Sequence, residues 1–437
     1  MMKQRRKRVG VLLAVLLSAL TACSQADAPV GQTHEEQPSA DGQVGQTQEE
    51  AAQADNAYTA IPAPTDYVSE EEMALADCFA GSKEEALAAV MKKASRKDAV
   101  TIAVIGGSIT QGTISTGSID SSVTERKCYA DIFFSWWEEN FPETEFTFIN
   151  AGIGATDSYL GVHRVNGDVL EAEPDLVLVE FAVNDADTPF YKKTYDNLVR
   201  IIVGDENEPA LLLLFMAQTN GASAQGNQSA IGFQYSLPMI SYGGVLKEMM
   251  ETGKYTAQDL SGDTVHPSAL GHAITGEILW RYLSSIYENM EQYGEAEPFT
   301  KAAVTKECYT NAAILDARTL IPDSMEGFSE KKLMDAFADG WGCEEGNGEI
   351  TFTLSFANLG VLYYRQIDGN GAQYEVCIDG EAVAVLDADF AGGWGNYAEA
   401  QECFTSDTAR EHEVTIRRKE DSLGDDFGLL GLLVSSP

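Results

Sequence analysis

Between residues 98 and 288, short apolar runs alternate with stretches of helical character, and this alternation restricts the fold more than any other feature of the chain. The apolar runs fall at residues 100–105, 146–149, 176–181 and 210–217. Short continuous apolar runs of this kind, bounded by turn residues, read as strands buried on both faces. Residues 128–140 and 194–203 read as helices between them. An earlier helix opens on the capping pattern Ser82-Lys-Glu-Glu85 and carries Leu87, Val90, Met91 and Ala94 on one face. The last helix is expected to start at Pro267, with proline in its first turn, and to run to about Tyr287. Strands alternating with helices imply a parallel sheet covered on both faces, an α/β/α domain over residues 66–292. The strand ends of such a sheet share one edge, where sites form.

The pattern then changes. Residues 293–299, with Gly294 and Pro298, read as a linker. Beyond it, short strand-like runs at 351–356, 361–364, 374–378, 382–386, 413–417 and 429–434 are punctuated by Asp368-Gly-Asn-Gly371 and Gly392-Gly-Trp-Gly395. That spacing predicts an antiparallel β-sandwich over residues 300–437.

The first residues read as a targeting segment. Lys3, Arg5, Arg6, Lys7 and Arg8 precede the apolar stretch 9–20, which is too short to span a bilayer of about 30 Å. The stretch ends in Leu20-Thr21-Ala22-Cys23, which resembles a bacterial lipobox. The resemblance implies removal of residues 1–22, lipidation of Cys23 and a lipid-anchored protein of the bacterial cell envelope. Residues 23–65 have almost no large apolar side chains and read as a disordered tether.

At 437 residues the chain suits two domains plus tails, and its 44% hydrophobic content supports real cores. The net charge of −39 argues against nucleic acid and against an anionic membrane surface as partners. Contact with membrane is expected only through the lipid anchor. Six cysteines remain besides Cys23, and sequence does not choose among their 15 possible pairings. Domains of this size fold without staples, so most are expected as buried thiols. None has metal-site spacing.

Four segments carry reactive groups. Ser108 follows the first strand in Gly106-Gly107-Ser108, a tight strand-to-helix bend whose helix-side N–H groups stabilise negative charge. The bend lacks the lysine of a phosphate loop and the spacing of a dinucleotide fingerprint. Asp263 and His266 lie three residues apart ahead of the last helix, so the carboxylate can turn onto one ring nitrogen and leave the other for the serine proton. Gly154 offers an unshielded N–H after the second strand. Asn184 offers a carboxamide after the third. With the Ser108 N–H they make three oxyanion donors. His272, inside the last helix, reads as structural, and His163 as packing beside the glycine-rich turn.

In order, Gly-Gly-Ser, Asn-x-Gly-x-Gly-x-Thr, Val-Asn-Asp and Asp-x-x-His-Pro resemble the four blocks of the SGNH, or GDSL-type, hydrolase superfamily over roughly residues 98–288. The resemblance implies a flavodoxin-like α/β/α fold and metal-free ester hydrolysis without a cofactor. It implies Ser108, His266 and Asp263 as a triad, and Ser108, Gly154 and Asn184 as the oxyanion hole. One departure is Gly107, where the family's Gly-Asp-Ser has aspartate.

The expected function is hydrolysis of short acyl esters, acetyl above all, on carbohydrate. The surface location, the acidic chain and a C-terminal domain similar to the ancillary domains of carbohydrate esterases all favour a neutral acylated glycan. Trp341 and Trp394 are offered for sugar stacking, with core packing as the alternative. A lipase or lysophospholipase acting on long acyl chains, and a non-catalytic glycan-binding lipoprotein, are the rival readings.

Overall fold

The computed structural model describes residues 66–76, 83–116, 127–297, 299, 302–343 and 347–437. The signal-like segment with Cys23, the tether, Cys78 and Ser82 of the expected capping box lie outside the described residues.

Five strands form the first sheet: β1 (Val100–Gly106), β2 (Phe146–Gly152), β3 (Leu176–Glu180), β4 (Ala210–Phe215) and β5 (Met239–Ser241). All pairs are parallel and the order is β2-β1-β3-β4-β5. This is the flavodoxin-like order, and its direction reverses between β1 and β3. The period of two sorts the strand side chains onto two faces. Ile102, Val104, Leu176, Leu178, Leu212 and Leu214 enter one core. Ala103, Ile105, Val177, Val179, Leu211 and Leu213 enter the other.

Helices α1 (Glu70–Ala76), α2 (Glu85–Ser95), α3 (Ser108–Gln111) and α4 (Tyr129–Asn140) pack on the first core. On the second lie α5 (Ser158–Asp168), α6 (Pro189–Val203) and α7 (Gln225–Tyr235). Three more, α8 (Tyr242–Glu251), α9 (Ala257–Leu260) and α10 (Ala269–Glu288), return to the first. No helical pattern marks α5 in the sequence, because its Gly161, His163, Asn166 and Gly167 are weak helix formers. Burial of its apolar face and an Asp157 cap, which accepts the Leu160 N–H at 2.9 Å, hold it. The last helix starts at Ala269 rather than Pro267. The Ser268 hydroxyl caps it by accepting the Gly271 N–H, while Pro267 forms a bridge with Ser261.

The remaining strands are β6 (Ala313–Leu315), β7 (Ser324–Glu326), β8 (Ser329–Lys331), β9 (Gly340–Cys343), β10 (Glu349–Arg365), β11 (Gln373–Ile378), β12 (Glu381–Asp387), β13 (Tyr397–Arg418) and β14 (Phe427–Ser435). They make an antiparallel ladder in the order β12-β11-β13-β10-β14-β9-β8, with β6 on β14 and β7 on β10. In a flat sheet, β11 and β14 would lie about 14 Å apart, three strand spacings. Yet Tyr374 of β11 stacks on Phe427 at a centroid distance of 4.1 Å. The ladder therefore curls over itself around a core that includes Trp341, Ile350, Phe352, Val376 and Leu429.

Two expected strands, 351–356 and 361–364, are one: β10 runs through both, with register shifts between Phe356 and Asn358 and between Leu359 and Gly360. Gly360 looks like a break in sequence but serves close approach, because a Cβ there would overlap the Tyr159 hydroxyl of α5. Leu362, Ala398, Leu430 and Leu433 of this second sheet join Tyr159 and Val162 of α5 in one apolar cluster. Two residues of the segment read as a linker lie against the α/β domain: Tyr293 accepts from Lys92 through its carbonyl and donates through its hydroxyl to Glu84, and Phe299 packs edge-on to Tyr235. Cys128, Cys308, Cys343, Cys377 and Cys403 are free thiols.

Candidate active site

The site lies where the strand order reverses, at the C-terminal ends of β1, β2 and β3. β1 delivers Gly106 and Gly107, and Ser108 is the first residue of α3. Its N–H is therefore among those with no acceptor inside the helix. A Cβ on Gly106 would overlap Thr110, so the bend needs glycine there.

Ser108 Oγ lies 2.9 Å from His266 Nε2. His266 Nδ1 lies 2.7 Å from Asp263 Oδ2. The other carboxylate oxygen accepts the backbone N–H groups of His266 at 2.7 Å and Val265 at 3.0 Å. Burial opposes ionisation of Asp263, but the bonds from the His266 ring and backbone and from Val265 outweigh it and hold the carboxyl below its ordinary range. An ionised Asp263 keeps the proton on Nδ1 and leaves Nε2 to accept the serine hydroxyl. Thr264, between the two, has a φ of 77°, an unusual conformation for a β-branched residue. Its carbonyl is held by the Thr219 N–H at 3.0 Å.

The second block closes around the serine. Asn150 donates to the Thr110 carbonyl at 2.8 Å and accepts the Gly152 N–H at 2.9 Å. Gly152 has no room for a side chain against the Gln111 backbone, and a Cβ on Gly154 would stand 3.8 Å from Ser108 Cβ. Asn184 sits in a turn after β3, its own N–H and that of Asp185 both bonded to the Phe181 carbonyl. Its carboxamide packs against Gly107, one residue before Ser108. All five residues singled out in the sequence, Ser108, Gly154, Asn184, Asp263 and His266, are thus gathered at one sheet edge.

Other groups escaped the sequence reading. Arg164 is buried and donates to the Gly106 carbonyl at 2.9 Å and the Ala151 carbonyl at 2.7 Å, and it pairs with Asp168 at 2.9 Å. It ties the ends of β1 and β2 together beneath the serine. Glu180 is buried at the end of β3. A charged residue closing an otherwise apolar strand was the available signal. His163 and His272 are buried, and burial lowers both rings to about 4, so they stay neutral. His163 packs on Tyr159 and Tyr309. His272 accepts the Tyr129 N–H and bonds the Thr113 carbonyl. Among the described residues no group of three His, Cys, Asp or Glu is arranged to hold a metal ion, and no helix is long and apolar enough to cross a membrane.

The second sheet brings the Glu399 charge near the end of the Gly154 loop. Asp157, which ends the Gly154 loop, accepts the Tyr191 hydroxyl at 2.9 Å. Burial and then, among smaller causes, the Glu399 charge push the Asp157 carboxyl up. Tyr397 donates to Glu399 and lies 4.9 Å from Trp394, and the Arg365 guanidinium stands 4.8 Å over Phe390. Trp394 is 70% exposed. Trp341, offered equally for stacking, is wholly buried and packs edge-on to Phe352, so it is a core residue.

Residues 104–274 match the model of the GDSL-like lipase/acylhydrolase family. A two-domain esterase (CEX) active on acetylated mannans, crystallised with mannopentaose, is 30% identical, with 83% of this chain and 98% of that one covered and a TM-score of 0.74. This chain belongs to the GDSL-like family. A second crystal structure of a two-domain CEX esterase active on acetylated mannans is 29% identical over 83% and 98% of the two chains, with a TM-score of 0.75. No curated protein sequence matches. The likeness to CEX spans both sheets, and this GDSL-like protein is a carboxylic ester hydrolase with an α/β domain and an antiparallel β domain.

Proposed function

We propose that this esterase removes short acyl groups, acetyl foremost, from carbohydrate, and that it does so from the outer face of a bacterial membrane to which lipidated Cys23 tethers it. The observation that carries the chemistry is the hydrogen-bonded chain from Ser108 through His266 to Asp263, at 2.9 and 2.7 Å. Ser108 Oγ attacks the ester carbonyl as its proton passes to His266 Nε2. The imidazolium is stabilised by Asp263. The N–H groups of Ser108 and Gly154 and the Asn184 carboxamide receive the oxyanion. Collapse expels the sugar alcohol, which takes the proton from His266. Water, deprotonated by the same ring, then releases the carboxylic acid and restores Ser108.

The carbohydrate reading is supported by the two-domain likeness to an esterase active on acetylated mannans. The exposed Trp394, beside Tyr397, is suited to stack on a sugar ring. The test is acetate release from acetylated mannan and acetylated xylan, run beside a p-nitrophenyl ester series of increasing chain length. Turnover is expected to be greatest for acetyl and to vanish in Ser108→Ala. A preference for long chains would make the protein a lipase, and an active Ser108→Ala variant would remove the serine mechanism.

A further inference from the structure

We propose that Glu180 is a positioning residue that locks the oxyanion turn to the nucleophile turn; the inference rests on the serine mechanism above. Glu180 closes β3, and its four strand predecessors, Leu176 to Val179, are apolar and wholly buried. The carboxyl is itself 0% exposed and, among the described residues, has no ion-pair partner. A buried unpaired carboxyl is costly, and a leucine would fill the place with less penalty.

Its bonds explain why it stands there. One oxygen accepts the Ala182 N–H at 3.1 Å, and the Val183 N–H also bonds the carboxyl. These are the two residues before Asn184. The other oxygen accepts the Thr110 hydroxyl at 3.4 Å, and Thr110 is two residues after Ser108. Thr110 in turn meets the Tyr129 hydroxyl at 2.7 Å. One side chain thus spans both turns whose separation sets the oxyanion hole. The groups around it are the hydroxyls of Thr110, Tyr129 and Tyr195; burial and then the Glu180 charge raise Tyr129, and burial, the Asp185 charge and then the Glu180 charge raise Tyr195. Burial also pushes Glu180 itself up to about 7. Either protonation state fits the geometry, because a protonated Oε2 donates to Thr110 while Oε1 keeps the Ala182 N–H.

That property gives the test a pattern that loss of stability alone does not produce. Glu180→Gln retains an acceptor for the turn and a donor for Thr110. Glu180→Asp retains the charge but is one methylene too short to reach both sides. The expected result is a kcat for Glu180→Gln within about threefold of the parent, and losses of roughly tenfold or more in kcat for Glu180→Asp and Glu180→Leu with KM within about twofold. Glu180→Asp is read alone if Glu180→Leu does not fold. In an Asn184→Ala background, Glu180→Asp is expected to cost less than about threefold further, because residues acting as a unit are not additive. Parental kcat in Glu180→Asp, or losses that multiply fully with Asn184→Ala, would overturn the inference. Ser108→Ala run in parallel separates the two readings: an inert Ser108→Ala beside a fully active Glu180→Asp sinks only the role of Glu180.

Discussion

The carboxamide of Asn184 fills the space that a side chain on residue 107 would occupy: a Cβ built on Gly107 would overlap its Oδ1. The departure from the family's Gly-Asp-Ser thus has a local cause, since in this chain the volume beside Ser108 belongs to the Asn184 carboxamide.

Gly107→Asp, which restores the family's residue, is therefore expected to lower kcat by roughly 10²–10³-fold, the cost of losing one oxyanion donor. Steady-state kinetics on p-nitrophenyl acetate, with circular dichroism to check folding, decide it. Full activity would mean that Asn184 is not needed where it stands.

Asp263 holds the His266 ring and two backbone N–H groups. Asp263→Asn leaves the shape but no longer dictates the proton on Nδ1, and a loss in kcat on the order of 10⁴-fold is expected. A loss below tenfold would remove Asp263 from the mechanism.

The buried His272 makes stability depend on pH. Burial lowers its ring from 6.5 to about 4, so between those values the unfolded chain binds a proton that the native ring refuses. Stability is therefore lost as pH falls through this window, by up to about 3 kcal/mol from this one group. His272→Asn keeps an acceptor for the Tyr129 N–H and a donor for Thr113. Urea unfolding at pH 7 and pH 4 should show a smaller pH-induced loss in this variant than in the parent, and equal losses would exclude the assignment.

Trp394 is largely exposed, so Trp394→Ala should leave the melting temperature unchanged. Loss of one stacking platform, worth about 1 kcal/mol, predicts a KM about fivefold higher for acetylated oligosaccharide and unchanged for p-nitrophenyl acetate. A rise on both substrates would point to a wider disturbance of the site.

Gly360→Ala drives a methyl group toward the Tyr159 hydroxyl. Overpacking of this kind costs about 1–3 kcal/mol. Thermal unfolding measures it directly, and an unchanged midpoint would show that Tyr159 has room to move.

The parts of the molecule that were legible in sequence are those set by local pattern. Apolar runs located β1 to β4, and four short motifs located the serine, glycine, asparagine, aspartate and histidine. β5 was missed because three residues carry no period. α5 was missed because its helix is imposed by packing against the propensity of Gly161 and Gly167. Arg164 and Glu180 left only a faint trace, a charge in an apolar setting, since their importance lies in which distant carbonyls and N–H groups they meet. The fate of the two tryptophans was illegible for the same reason: Trp341 and Trp394 both sit among glycines, and only the tertiary fold sends one inward and the other out.

The apolar cluster that joins α5 to the second sheet has a practical consequence. The helix that begins just past the Gly154 loop leans on residues that arrive more than 190 positions later in the chain. An α/β domain cut off near residue 295 would bare a greasy flank and lose the wall behind the loop that carries Gly154. The C-terminal domain is masonry, not an appendage, and crippled catalysis on even the smallest ester should accompany its removal.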